Sequence, residues 1–148
     1  MSGVVEQIAI SSDRAALRAP VPRVRAVPGR GLEGEYHWSE QPEAGQSITL
    51  IAAEALEGLR ADTGIELSHE ASRRNVLTRG IDVNALVGRR FRVGDVECVG
   101  VELCHPCKHL ESVTKPGVIK GLANRGGLNA DILTDGEIAV GDEVVAAD

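Results

Sequence analysis

Two cysteines, a histidine, a proline and a lysine form the segment Cys-His-Pro-Cys-Lys at residues 104–108. Pro106 favours the first turn of a helix, which would place Cys107 where the helix dipole and unpaired N–H groups stabilise an anion. His105 and Lys108 add possible positive charge. The pattern therefore predicts a lowered pKa for the Cys107 thiol. Such a thiolate could act as a nucleophile, a soft metal ligand or a carrier of sulfane sulfur as a persulfide.

Metal and redox interpretations of the segment find less support in the sequence. A structural zinc site could add Cys98 and His109 to the C-x2-C pair, but the chain has no second C-x2-C pair or H-x3-5-H pair. We therefore expect no zinc. Haem attachment requires a histidine directly after the second cysteine, where Lys108 stands. A thioredoxin-like redox pair requires a βαβ context that the strand-rich sequence does not offer.

Two further interpretations stay open at this point. Cys98 and Cys104 can equally be small buried residues of the core, which is the common role of a cysteine thiol. A cysteine hydrolase or transferase would need a base and an orienting group near the thiol. His37, His69 and His109 are the available bases, and the sequence alone does not bring any of them to the thiol.

The composition indicates one globular domain over residues 1–148, with 43% hydrophobic and 26% charged residues. A net charge of -6 and only one Phe, one Trp and one Tyr argue against a nucleic-acid partner. No segment approaches the roughly 18 apolar residues of a membrane-spanning helix, and the start lacks the features of a secretory signal. Three cysteines, an odd number, fit reduced thiols. We expect a cytoplasmic protein without a membrane partner.

The elements that position the cysteine segment are mostly predicted strands. Closure would remove their exposed edges, so this number of short strands favours a mainly β (β-rich α+β) fold, a closed or nearly closed barrel with a few short helices. Alternation and β-branched residues predict strands over 4–11, 21–27, 47–51, 89–93, 96–103 and several short stretches of 128–147. Predicted helices cover 52–63 with a stop at Gly64, 83–88 with a cap at Asp82, and 106–113; 115–127 is a weak helix or loop.

Four separated blocks of sequence resemble the MOSC domain, the C-terminal domain of molybdenum cofactor sulfurases and of stand-alone relatives, here of the bacterial type. The resemblance runs from about Gly29 to Val145 and implies a strand-rich barrel. The blocks are GRGLEGEYHW (29–38), SRRNVLTRGIDVNALVGRRFRVGDVECVGVELCHPCKHLE (72–111), NRGGLNADIL (124–133) and GEIAVGDEV (136–144).

The resemblance implies roles for individual residues. Alignment of the Pro-Cys dipeptide makes Cys107 the reactive cysteine, which would bind molybdenum or carry a persulfide. Arg74 and Asn75 match the family's Arg-Asn segment, and Arg125 matches a basic position in the later glycine-rich block. Physically, arginine suits the phosphate of a molybdopterin because it forms charge-assisted bidentate contacts.

Two other positions complete the predicted cofactor site. Glu35 stands where relatives commonly have the aspartate of a Gly-Asp pair, and Tyr36 replaces a residue that is commonly basic there. The carboxylate is kept with one extra methylene, but the positive charge is lost. His105, together with Cys104, would tune the Cys107 thiolate.

The predicted function is binding of a molybdenum–molybdopterin cofactor, sulfur carriage on a reactive cysteine, or both. If the protein is an enzyme, the resemblance implies a molybdenum-dependent sulfurtransferase or a reductase component for N-hydroxylated compounds. A non-catalytic barrel that binds pterin or a protein is the alternative. Since 148 residues leave no room for a pyridoxal-phosphate desulfurase domain, the expected partners are a cysteine desulfurase-type sulfur donor or a reductase, and a molybdoenzyme acceptor.

Overall fold

The computed structural model of the protein describes residues 2–13, 18–36, 38–41, 44–104 and 117–147. The predicted helix over 106–113 lies outside these ranges. So do six residues named above, which are His37, His105, Pro106, Cys107, Lys108 and His109.

The described residues form eleven strands, three α-helices and one 3₁₀ helix. In chain order they are β1 (Ser2–Ile10), β2 (Ala19–Val21), β3 (Arg23–Val27), β4 (Gly31–Leu32), β5 (Ile48–Ala52), α1 (Ala53–Thr63), α2 (His69–Ser72), β6 (Val76–Arg79), the 3₁₀ helix (Val83–Leu86), β7 (Arg90–Val93), β8 (Val96–Leu103), α3 (Val118–Gly121), β9 (Leu128–Ile132), β10 (Gly136–Ala139) and β11 (Glu143–Ala146). None of the helices within the described ranges combines the length and apolar character that crossing a membrane requires.

Seven strands close a barrel within the described part of the chain. Their order is β11, β7, β8, β9, β5, β6 and β1, and β1 then pairs with β11 through Ser2–Val145 and Val4–Glu143. Neighbours are antiparallel except β5 and β6, which are parallel because α1 and α2 carry the chain back between them. Strand β2 extends β1, and β10, β3 and β4 form a second small sheet. The structure confirms the predicted closed, mainly β barrel.

The barrel interior is an aliphatic core with Phe91 as its one aromatic side chain among the described residues. On β8 the alternation works as predicted: Val96, Cys98 and Gly100 are buried, while Val99 and Val101 are partly exposed. Burial raises the pKa of the Cys98 thiol to about 12, with the charges of acidic neighbours adding to the effect. Cys98 is therefore a neutral core residue.

Helical termini also follow the predicted signals. Gly64 ends α1 in the left-handed conformation, with φ of 76°, and its N–H donates to the carbonyl of Arg60 at 2.8 Å. The Asp82 side chain accepts from the N–H of Asn84 at 3.0 Å and caps the 3₁₀ helix.

Two strand predictions were incomplete. Pro22 divides the predicted strand 21–27, so that β2 pairs with β1 while β3 pairs with β10. Proline has no N–H for a sheet, which makes it the natural point for the chain to change sheets. Strand β6 was not predicted, because its four residues lie within a polar, basic stretch.

Candidate functional site

Asn75 joins several strand ends with one side chain. It directly precedes β6, and its Oδ1 accepts from the Thr49 N–H at 3.1 Å and from the Thr49 hydroxyl at 3.0 Å. Its Nδ2 donates to Glu35 Oε2 at 2.7 Å and to the Ala9 carbonyl at 3.3 Å. Asn75 therefore fixes the start of β6 against β5, β1 and the loop that follows β4.

Glu35 is a buried carboxylate in that loop, only 3% exposed. Besides Asn75 it accepts from the backbone N–H groups of Ser11 at 3.4 Å and Tyr36 at 3.2 Å, and Arg18 Nη2 lies 3.4 Å from its Oε1. Burial raises the pKa of the Glu35 carboxyl, and the Arg18 charge and the hydrogen bonds act against that rise. The Glu35 carboxylate thus meets Asn75 across the strand ends.

Arg74 connects this cluster to the strand end that leads into the cysteine segment. Its buried side chain donates from Nε to the Gly126 carbonyl at 2.8 Å. The next residue, Gly127, accepts at 2.7 Å from the backbone N–H of Cys104, the first residue after β8. Gly127 has φ of 112°, and a Cβ there would collide with the Leu50 carbonyl. The site thus contains a place where only glycine allows close approach of the backbone.

Arg18 is the second buried arginine of the cluster, and it was not among the predicted site residues. One of its nitrogens, Nη2, meets Glu35, and its guanidinium lies 5.4 Å from the centroid of the Tyr36 ring. Its Nε and Nη1 are fully buried and have no hydrogen-bond acceptor within the described ranges. No motif marks Arg18 in the sequence, since its partner lies 17 residues away in a loop.

His69 begins α2 and is also buried. Neither ring nitrogen has a hydrogen-bond partner in the part of the chain that the structure describes. Its pKa is lowered to about 4, mainly by burial; the Glu70 carboxylate and the Arg74 backbone, toward which the ring can donate, oppose the shift, and the Arg18 charge adds to it. His69 is therefore neutral at physiological pH. In the sequence, His69 stood out only as one of three possible bases for a cysteine enzyme.

A surface cavity of about 530 Å³ adjoins the cluster. Glu35 and Tyr36, which contact Arg18, line this cavity. Trp38, which is partly exposed, lines it as well. The cavity thus reaches two residues that contact Arg18, but Arg18 itself does not line it.

Arg125 is not part of this cluster. Its Nε donates to the Gly121 carbonyl at 2.9 Å and its Nη2 pairs with Asp62 at 2.8 Å. The guanidinium thus packs on α1, although the Gly126 carbonyl next in the chain accepts from Arg74. The structure brings together Glu35, Arg74 and Asn75 of the predicted residues, and places the side chain of Arg125 elsewhere.

The predicted reactive residues, Cys107 and His105, lie outside the described residues, and their roles stay predictions. Among the residues that are described, no group of three or more His, Cys, Asp or Glu side chains could hold a metal ion. The described cluster contains two buried arginines, of which Arg18 pairs with the Glu35 carboxylate and Arg74 donates to the Gly126 carbonyl. Chemically, a buried guanidinium suits recognition of an anion.

Comparison with known proteins gives a family and a fold. The model of the MOSC domain family matches residues 33–145. The crystal structure of the YuaD protein from Bacillus subtilis superposes with a TM-score of 0.85 at 16% identity, over 100% of this chain and 97% of that one. YiiM from Geobacillus stearothermophilus gives 0.78 at 16%, over 100% and 76%, and YiiM from Escherichia coli 0.71 at 13%, over 100% and 70%. At these identities the neighbours establish the fold alone. No curated protein matches the sequence significantly.

Proposed function

Since the chain belongs to the MOSC domain family, we propose that it binds a molybdenum cofactor of the molybdopterin type and uses Cys107 as the metal ligand or as a persulfide carrier. The observation that carries the proposal is the position of the buried cluster Glu35, Arg74 and Asn75. Through Gly126 and Gly127, this cluster adjoins Cys104, where the chain leaves β8 toward Cys107.

The donor set fits an anionic cofactor. Arg74 lies at the end of strands and supplies a guanidinium, the group that best matches phosphate oxygens. Gly127 lets its backbone pack directly against the Leu50 carbonyl, which fixes the chain beside Arg74. Asn75 and Glu35 hold the loop after β4 in place, so that the binding surface is formed before the cofactor arrives.

When bound, molybdenum supplies redox chemistry that no side chain offers. The protein contributes binding and orientation: Arg74 would hold the anionic end, and His105 and Cys104 would favour the thiolate form of Cys107. Arg125 keeps its predicted cofactor role only if it leaves its ion pair with Asp62. In the reductase version, electrons come from a separate reductase protein.

In the carrier version, the Cys107 thiolate attacks the terminal sulfur of a persulfide on a cysteine desulfurase-type donor. The new S–S bond forms on Cys107, and the donor cysteine leaves as a thiolate. A molybdoenzyme would then accept this sulfur. The step requires no external oxidant, because the sulfur is transferred at an unchanged oxidation level.

The test measures cofactor retention in protein that has been loaded with molybdenum cofactor and then gel-filtered. We expect Cys107→Ala to retain at least tenfold less molybdenum than the wild type. The control Cys98→Ala, which changes a core thiol, should retain as much molybdenum as the wild type. The molybdenum content is measured by elemental mass spectrometry. The pterin content is measured by fluorescence after the pterin has been oxidised. Equal retention of metal by both variants would contradict ligation by Cys107.

Persulfide formation is tested separately, by incubation with a cysteine desulfurase and its substrate and by intact-mass and peptide analysis. A mass increase of one sulfur atom on Cys107 supports carriage. Pterin retention that is independent of Cys107, without persulfide, would instead identify the protein as a non-catalytic pterin-binding barrel.

A further inference from the structure

The cavity of about 530 Å³ beside Glu35 is lined by two of the three aromatic side chains of the chain, Tyr36 and Trp38. Trp38 is 38% exposed, although tryptophan is usually well buried because of its large apolar surface. The third aromatic side chain, Phe91, lies in the barrel core instead. Two aromatic rings on one concave surface are typical of a site that binds a small organic molecule.

Backbone hydrogen bonds hold both aromatic residues in the loop that follows β4. The Tyr36 N–H donates to the Ser11 carbonyl at 2.8 Å, and the Trp38 N–H donates to the Glu35 carbonyl at 2.9 Å. The Arg18 guanidinium packs 5.4 Å from the centroid of the Tyr36 ring. The two aromatic residues are therefore positioned before a ligand arrives.

Glu33 gives the same cavity a negative charge. Its side chain is exposed and lines the cavity, and it forms no ion pair within the described ranges. The charge of Glu35 is offset by Arg18, 3.4 Å away. The other described arginines whose backbone bonds this loop also have carboxylate partners, Asp135 for Arg25 and Glu40 for Arg30. Among the described residues that line the cavity, Glu33 is thus the charge that no arginine offsets.

A carboxylate beside aromatic rings selects a cation with an apolar body. The faces of tryptophan and tyrosine attract cations, and tryptophan does so most strongly. A primary ammonium must give up hydrogen bonds to water in order to approach a ring. A quaternary ammonium has no N–H groups to desolvate and presents methyl groups that pack on the ring. An anion would be repelled by Glu33.

We propose that this cavity binds a quaternary ammonium compound. The trimethylammonium group packs on Trp38 next to Tyr36, and its charge faces the Glu33 carboxylate. The site is independent of the proposed role of Cys107, because no cofactor contact is assigned to these three residues.

Choline is the probe, and its neutral comparison is the tert-butyl analogue, in which carbon replaces the charged nitrogen. Trp38 is the one tryptophan of the chain, so its fluorescence reports directly on ligand in the cavity. We expect choline to change the emission saturably and to bind the wild type at least tenfold more tightly than the analogue does. Added sodium chloride should weaken the binding of choline and leave that of the analogue unchanged.

Isothermal titration measures the choline affinity of the variants. Trp38→Leu should weaken binding by roughly fivefold or more, and Trp38→Phe by less, because a smaller aromatic face remains. Glu33→Gln should weaken binding by roughly threefold, since an exposed carboxylate attracts a cation only modestly. The matched control is Glu97→Gln, which removes one charge at an exposed position of β8 and should leave the affinity unchanged.

Circular dichroism checks that each variant is folded. The proposal is overturned if the wild type binds choline no more tightly than the tert-butyl analogue. It is equally overturned if folded Trp38→Leu or folded Glu33→Gln binds choline as the wild type does.

Vesicles of phosphatidylcholine identify the source of the ligand. Sedimentation of the protein with these vesicles, abolished by free choline, would assign the site to a lipid headgroup. Choline binding without sedimentation assigns it to a free compound. Because Cys107→Ala should bind choline as the wild type does, a failure of metal ligation and a failure of this site give different results.

Discussion

Glu35 and Asn75 illustrate how a buried charge is held at the level of single residues. Taking a carboxylate out of water costs several kcal/mol unless it is paired and hydrogen-bonded. Glu35 receives three hydrogen bonds from Asn75, Ser11 and Tyr36 as well as the Arg18 ion pair. The Asn75 contact, at 2.7 Å, is the shortest of these, and the same side chain also satisfies Thr49. Removal of the Asn75 side chain would therefore leave Glu35 and Thr49 short of hydrogen-bond partners at the same time.

We therefore predict that Asn75→Ala lowers the free energy of unfolding by about 2–4 kcal/mol, since it leaves a buried carboxylate and the Thr49 N–H short of partners. Urea denaturation at neutral pH measures the loss. Asn129→Ala, which changes a half-buried asparagine on β9, is the matched control and should cost no more than about 1 kcal/mol. An equal loss of unfolding free energy in the two variants would show that the hydrogen bonds of Asn75 stabilise the fold no more than those of Asn129.

The sequence identified part of this residue cluster. Glu35, Arg74 and Asn75 were grouped by family resemblance, and the structure places them together. Arg18 could not be found in this way, because it lies in none of the four blocks that resemble the family and its burial depends on Glu35, 17 residues away. For Arg125 the matching position gave the backbone location, next to Gly126, but not the direction of the side chain.

Among the elements, β8 has the tightest steric requirement at Gly100. Its N–H donates to the Arg89 carbonyl at 3.0 Å, and its carbonyl accepts from Gly88 at 2.9 Å. A Cβ at this position would collide with the carbonyl oxygen of Leu86, at the end of the 3₁₀ helix. The pairing with β9 also shifts register between Gly100 and Glu102. The glycine is thus required for space rather than for a positive φ.

Gly100→Ala is predicted to destabilise the fold by about 1–3 kcal/mol, because the 3₁₀ helix must move away from β8. Thermal and urea unfolding measure the change. Glu97→Ala, at an exposed position of the same strand, should stay within about 0.5 kcal/mol of wild type. A Gly100→Ala protein as stable as Glu97→Ala would mean that the helix shifts without cost.

Elements with strong local signals were predicted well, and those defined by tertiary pairing were not. The Gly94–Asp95 turn, the alternation of β8 and the Gly64 stop of α1 are encoded locally. Strand β6 is only four residues long and is specified by its neighbours, β1 and β5. Local propensity is a weak guide for such a strand, since packing decides its conformation.

For the whole molecule, His69 predicts a loss of stability in mild acid. Its pKa is about 4 in the fold and 6.5 in the unfolded chain. A lowered pKa gives a contribution that is complete above pH 6.5 and is lost as the pH falls toward 4. Glu35 acts in the opposite sense, because its raised pKa gives a contribution that is complete below about pH 4.5 and is lost as the pH rises through the folded value.

Between pH 7.5 and 5.5, in phosphate-free buffer, the His69 contribution to the free energy of unfolding should fall by about 1 kcal/mol. Urea denaturation of wild type and His69→Gln at both pH values isolates it, because the other groups cancel to first order in the difference. We expect His69→Gln to lose less stability than wild type over this range. Parallel pH profiles would show that His69 titrates normally in the fold.

The pairing of β1 with β11 has a consequence for biosynthesis. Residues 2–4 find these partners only at residues 143–145, so the sheet cannot become a continuous ring until residues 143–145 have emerged from the ribosome. During translation the first strand keeps an open edge, the kind of surface that neighbouring nascent chains can join. We expect ring closure to be slow and to come late in folding. Pairing between distant parts of a chain must first overcome the entropy of closing a long loop.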